Sequence, residues 1–191
     1  MNHQIKTLAA AAALLLAGAV QAATLSLVPS VSSINTGAAF SVDVVIGDLA
    51  AGEQLSTFDF TLGFDAAVLG FGGYTLHGQL GSLALFEALD LSGGLTGAGS
   101  VHLGELSFLE DLSYQPGTFT LATLSFTAIG AGNSTLSLGN VTLGDTFGAA
   151  LPATLNGAAI HVSAVPEPSS YALLAGGLLL IGASVRRKSA K

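Results

Sequence analysis

The chain has 191 residues, half of them hydrophobic, with no Cys, no Trp, twelve Asp and Glu, five Lys and Arg, and a formal net charge of −7. The five cations are Lys6, Arg186, Arg187, Lys188 and Lys191, and of the acids only Glu167 lies outside residues 23–164, so that stretch holds eleven carboxylates and no Lys or Arg. It therefore cannot neutralise nucleic-acid phosphates, form a lysine Schiff base or clamp an anion with Arg, and it offers no thiolate as nucleophile, metal ligand or iron–sulfur ligand.

In chain order, Lys6 precedes an apolar stretch from Leu8 to Val20. Small residues follow, with Val20 and Ala22 at the −3 and −1 positions of a signal-peptidase site. This is the pattern of a secretory signal over residues 1–22, cut between Ala22 and Ala23. Export would deliver the chain to an oxidising compartment, yet it has no disulfide to use there. Residues 23–164 are expected to form one domain, long enough to bury a core.

That domain reads as strands. Thr24 to Val28 alternates polar and apolar residues and stops at Pro29; Phe40 to Val44 alternates with Asp43 facing out. Phe58-Asp59-Phe60-Thr61-Leu62-Gly63-Phe64 places four large apolar side chains on one face. Ser82 to Asp90 fits a short helix capped by Ser82 better than a strand, and Gly93 to Gly99 reads as a flexible loop. Thr118 to Ile129 is β-rich, and Gly130 to Ser134 reads as the turn of a hairpin with Thr135 to Leu138. Thr142-Leu143 and Ala158 to Val162 read as the last short strands. Many short strands with Gly-rich turns predict an all-β sandwich.

Few residues suggest chemistry. Glu105 with Glu110 and Asp111, or Asp59 with Asp65, are candidate carboxylate pairs for a glycosidase. However, Asp43 and Asp59 are expected to face solvent, Asp65 ends a strand as a turn residue, and Glu110-Asp111 opens a polar loop. His77, His102 and His161 lack the spacing of a zinc site, and there is no G-x-S-x-G elbow. Asp48 and Asp145 are loop carboxylates without a calcium motif. The expectation is no catalytic residue, no metal and no cofactor. For a sugar ligand, the exposed aromatic candidate is Tyr114, in the loop before Pro116, with Tyr74 as the other tyrosine of the domain.

At the C-terminus, Pro166, Glu167 and Pro168 hold the chain extended. Ser170 to Val185 then reads as a transmembrane helix. Counted from Ser169, the uncharged run spans roughly 26 Å, slightly under a ~30 Å hydrocarbon core. Arg186, Arg187 and Lys188 form a basic stop on the cytoplasmic side.

Two resemblances follow from these residues. "LSTFDFTLGFDAAVLGF" (Leu55 to Phe71), "GTFTLATLSFTAIGAGNSTLSLGNVTLGD" (Gly117 to Asp145) and "INTGAAFSVDVVI" (Ile34 to Ile46) resemble cohesin-like domains. This implies a jelly-roll β-sandwich of about nine strands. In cellulosome scaffolds such domains bind dockerin modules. The order Pro-Glu-Pro, short apolar span, basic cluster over Val165 to Lys188 resembles the PEP-CTERM sorting signal of Gram-negative bacteria. It implies processing by an exosortase, a membrane-embedded cysteine transpeptidase-like enzyme, near Pro166 to Pro168, with a mature C-terminus near Val165. It also implies passage to the envelope or to the exopolysaccharide matrix, as in biofilm- or floc-forming species. The expected protein is an exported, non-enzymatic surface or matrix component with a structural or adhesive role. The alternatives are a cohesin-type module binding another surface protein, and a polysaccharide-binding module.

Overall fold

Alternation in the sequence becomes alternation in burial. The computed structural model describes residues 22–165 and 173–180. Its first long strands are β1 (Ala23–Pro29), β3 (Ala39–Gly47) and β4 (Thr57–Gly63), and each buries every second residue. Phe58, Phe60 and Leu62 of β4 are fully buried, as are Val42, Val44 and Ile46 of β3, while the intervening Asp43 and Asp59 point outward. A strand sends successive side chains to opposite faces, so one apolar face per strand is enough to build a core between two sheets.

The strands form two sheets. One has five strands, in the order β11 (Ala153–Asn156), β1, β3, β9 (Phe119–Ala128) and β5 (Leu69–Leu76). The other has seven. Its path runs β2 (Ser33–Asn35), β12 (Ala158–Ser163), β10 (Gly132–Gly144), β4, β8 (Ser100–Ser107) and β6 (Ala88–Asp90), and β7 (Gly94–Gly97) also pairs with β8. Pairing is antiparallel except for β1 with β11 and β2 with β12. Between the sheets, Phe126 of β9 stacks on Phe40 at 5.7 Å and meets Phe64 and Phe71 edge-on at 5.2 and 5.7 Å. Each large side chain moved from water into this core contributes about 1.5–3 kcal/mol. Ion pairs add little: among the described residues the close contact of this kind is His102 with Asp59, which is partly exposed and an ion pair only when the imidazole is protonated.

The sandwich expected from the sequence is present, with five differences. The described residues hold twelve strands rather than about nine, because β2, β6, β7 and β11 add pieces of three or four residues. The segment Thr118 to Leu138 is not a hairpin: β9 and β10 belong to different sheets. Their link crosses between layers around the turn after β4, with Ile129 and Gly130 N–H groups both donating to the Val68 carbonyl. Gly130 lies so close to the Ala67 carbonyl oxygen that a Cβ has no room there. Thr142 and Leu143 belong to β10, which runs on past an irregularity between Gly139 and Thr142 where Asn140 adopts φ 51°.

Ser82 to Asp90 is not a helix. Leu83–Leu85 makes one 3-10 turn without a Ser82 side-chain cap, Phe86 is left-handed at φ 58°, and Ala88–Asp90 is strand β6. Phe86 and Leu85 are 85% and 70% exposed, so the apolar face of such a helix has nothing to pack on, whereas β6 gains ladder bonds to β8. Gly93 to Gly99 is likewise ordered by pairing, because β7 lies antiparallel on β8.

Residues 173–180 are helical. Among the described residues no helix is long and apolar enough to cross a membrane. The signal segment up to residue 21, the triplet Pro166-Glu167-Pro168, the ends of the Ser170 to Val185 span and the basic stop Arg186 to Lys188 lie outside the described residues. Ala22 is described, and Ala23 begins β1.

Candidate functional site

Strand β8 reads Ser-Val-His-Leu-Gly-Glu-Leu-Ser, and its inward positions are Val101, Leu103, Glu105 and Ser107. Period two thus puts Glu105 on the apolar face. It is 1% exposed, and neither carboxylate oxygen has a hydrogen-bond partner among the described residues. Loss of hydration pushes its pKa up to about 7, and the charge of Asp90, opposite it in the β6–β8 ladder, adds to the rise. An unpaired buried carboxylate avoids the cost of a bare charge by holding its proton.

Glu105 lies at the floor of a cleft of about 580 Å³ where β5 and β8 approach the end of the sandwich. Leu76 and His77 come from the end of β5, Gly78 and Gly81 to Leu83 from the two 3-10 turns, Glu87 from the approach to β6, and Leu109 and Tyr114 from the loop after β8. Local hydrogen bonds hold these walls. The Ser82 N–H donates to Glu87 Oε2 at 3.0 Å, and the Tyr114 hydroxyl donates to the Gln79 carbonyl at 3.2 Å. Gln115 clamps the loop, accepting from the Leu55 N–H and donating to the Leu55 and Gln79 carbonyls.

Nearby, Tyr74 of β5 donates to Asp90 Oδ2 at 2.9 Å, tying the two sheets together at this edge. Burial acts to raise the Asp90 pKa, but hydrogen bonds from Ser92 and Tyr74 outweigh it and leave the carboxyl below its ordinary value. Burial raises the Tyr114 hydroxyl, and the charges of Glu87 and Asp111 raise it further.

Tyr114, the aromatic candidate from the sequence, stands at this cleft and is 54% exposed. The other candidates scatter. Asp59 faces out of the seven-stranded sheet and accepts from His102 Nε2 at 2.8 Å. The Gly93 N–H donates to Nδ1 of the same ring, which fixes the proton on Nε2. His77 Nε2 contacts Thr123 Oγ1 at 3.0 Å, which donates to Asp43 at 2.7 Å. His161 Nδ1 contacts Asn133 Oδ1 at 2.7 Å.

Asp65 caps the turn after β4, accepting from the Ala67 N–H. Glu110 lines a different depression, with Glu53 and Asp145. Members of each proposed carboxylate pair therefore sit in different surroundings. Asp48 accepts from the Thr24 hydroxyl on neighbouring β1, and Asp145 accepts from the Phe147 and Ala149 N–H groups of its own turn, so both loop acids are engaged within the fold. Among the described residues no group of three or more His, Asp or Glu is placed to hold a metal. The feature sequence reasoning passed over is Glu105 as an inward carboxylate. Its signal was the period-two register with Val101 and Leu103.

Residues 164–188 match the family model of the PEP-CTERM protein-sorting motif. No curated protein sequence matches the chain. The fold is similar to that of the cohesin module from a family 33 glycoside hydrolase of Clostridium perfringens, at 12% identity and a TM-score of 0.60, over 76% of this chain and 100% of that one. It is also similar to the sixth cohesin of Acetivibrio cellulolyticus scaffoldin B, solved in complex with the Cel5 dockerin, at 18% identity and a TM-score of 0.59, over 73% and 99%. A third similar structure is the non-cellulosomal cohesin of the archaeon Archaeoglobus fulgidus, at 12% identity and a TM-score of 0.55, over 78% and 96%. The sorting motif marks an exported, membrane-transiting protein of the cell envelope, and residues 23–163 form a β-sandwich similar in fold to cohesin modules, followed by the match to the PEP-CTERM sorting motif.

Proposed function

We propose that the chain is an exported, non-enzymatic binding module of the cell surface or exopolysaccharide matrix of a Gram-negative bacterium, with an adhesive or structural role. The observation that carries this reading is the cohesin fold of the ectodomain joined to a sorting motif at residues 164–188. Residues 1–22 are removed between Ala22 and Ala23. The module of residues 23–164 is held at the membrane by the span Ser170 to Val185 and the basic stop Arg186, Arg187 and Lys188. An exosortase then cuts near Pro166-Glu167-Pro168 and releases the module to the envelope. Intact-mass measurement of the mature protein tests this: the expected termini are Ala23 and a residue near Val165. Mature molecules that all retain Lys191 would refute processing.

For the module itself the favoured partner is another surface or secreted protein. Support comes from the similar Acetivibrio cohesin, whose structure includes a bound dockerin. A second reading, polysaccharide binding, is favoured by Tyr114 beside Glu87 at an open cleft, where a ring face and hydrogen-bond acceptors suit a sugar. Retention of the chain on the cell's own exopolysaccharide, reduced by Tyr114→Ala, is the expected result for that second reading. Recovery of a protein partner from the secreted fraction, unaffected by that substitution, favours the first.

A further inference from the structure

The cleft above Glu105 combines a buried carboxyl group without a hydrogen-bond partner among the described residues, apolar walls and an acidic surround. We propose that it receives the ammonium group of a lysine side chain presented by a partner polypeptide, with Glu105 as the counter-ion. This deepens, and rests on, the reading of the chain as a protein-binding module.

Glu105 carries the argument. Its carboxylate is buried and unpartnered on a strand face whose other inward positions include Val101 and Leu103. A buried acceptor left without a donor is costly, and a group bringing N–H donors and a positive charge removes that cost. The module has no Lys or Arg to supply such a group in residues 23–164, and its one histidine at the cleft, His77, contacts Thr123.

The charged and titratable groups facing this end of the sandwich are Tyr74 and His77 from β5 and its end, Glu87 and Asp90 around β6, and Tyr114 from the loop. All but His77 are acids or phenols, and the His77 ring is engaged with Thr123. The cleft therefore attracts cations and repels anions.

The walls decide which cation. Leu76, Leu83 and Leu109 line the path to Glu105. A lysine presents a four-carbon apolar stem ending in a charge, and so meets apolar walls and an acidic floor together. A pyranose ring carries hydroxyls around its rim, so entry into the cleft edge-on leaves those leucines facing polar groups. Outside the cleft, Leu85, Phe86 and Phe108 are 70%, 85% and 58% exposed, which suits contact with a polypeptide.

Glu105 is covered at the base of the cleft, so entry requires one wall to yield. The Leu83–Leu85 turn is the weakest wall: it has no buried residue and leads into Phe86 at φ 58°, a conformation unfavourable for a bulky side chain.

Calorimetric titration of the purified full chain tests the assignment, using acetyl-Ala-Lys-Ala-amide, its norleucine counterpart and a glucosamine trimer as probes. The expected result at neutral pH is a lysine peptide bound about tenfold more tightly than the norleucine peptide. Near pH 6, the same peptide is expected to release about one proton as it displaces the one held by Glu105. Glu105→Gln, checked to be folded by circular dichroism, is expected to lose both effects. Equal binding of the two peptides overturns the proposal, as does an unchanged preference in Glu105→Gln. Tighter, Glu105-dependent binding of the glucosamine trimer overturns the polypeptide source and assigns the cleft to an amino sugar. Capture of a secreted partner that Glu105→Gln leaves undiminished overturns the cleft while the binding-module reading stands.

Discussion

Replacing Glu105 by Gln keeps the side chain's shape and removes its titration. In the folded chain burial, helped by Asp90, lifts this carboxyl from 4.5 to about 7. The unfolded chain binds no proton there between those limits and the folded chain does, so wild-type stability falls as pH rises through the interval. At about 1.4 kcal/mol per pH unit, the loss amounts to about 3 kcal/mol. It is complete near pH 7 and does not grow above it. Below pH 4.5 both states are protonated and the contribution is flat. The variant lacks this slope. Urea unfolding at pH 4 and pH 8 should therefore show the two proteins closely matched at pH 4 and Glu105→Gln more stable by about 3 kcal/mol at pH 8. Among the carboxylates Asp90, paired with Glu105 across the β6–β8 ladder, is the one whose contribution the substitution also changes. A gap that is the same at both pH values, or a variant less stable at pH 8, would refute the assignment of Glu105 as a buried, unpaired acid.

Three further substitutions test the packing, each by urea unfolding. Phe60→Ala removes a fully buried ring that stacks on Phe58 at 5.6 Å, and it should cost about 3–5 kcal/mol. Ser134→Ala strips the acceptor from the Asp65 N–H, a 3.0 Å bond between β10 and the turn after β4, at a cost of about 1–3 kcal/mol. Gly99→Ala places a Cβ against the Phe64 carbonyl at a residue with φ 78°, and it should cost at least about 1–3 kcal/mol because two constraints are violated together. A cost under half a kcal/mol for any of the three would contradict the contact named for it.

The longer strands were legible because burial on one face leaves a period-two record. Phe58, Phe60 and Leu62 show it, and so do Val42 and Val44 with Asp43 between them. The segments that escaped this reading carry no such record. Gly94–Gly97 has only two side chains, Leu95 and Thr96, too few to declare a face, yet it is a strand because β8 offers it an edge. Ser82 to Asp90 has enough leucines to suggest a helix, but a helix of that length needs a surface to cover, and its leucines and Phe86 face solvent instead. The supposed hairpin between β9 and β10 failed for another reason. A Gly-rich turn signals a reversal, but it does not say whether the returning strand pairs with its predecessor or crosses to the opposite sheet.

The candidate site divides along the same line. The sequence alone determined that the module is acidic throughout, free of Lys, Arg and Cys, built of alternating strands, and followed by a Pro-Glu-Pro triplet, an apolar run and a basic cluster. Those are properties of composition and of local order, and no fold is needed to read them. It also supplied Tyr114 as an aromatic in a loop. The packed sandwich was needed to see that Glu105 points inward without a partner among the described residues and that Asp90 lies opposite it. It alone brought residues from β5, two 3-10 turns and the loop after β8 together around one cleft. The reason is that register between strands distant in sequence is set by packing the whole sandwich at once. A carboxylate's neighbours, and so its charge, follow from that register and not from the residues beside it in the chain.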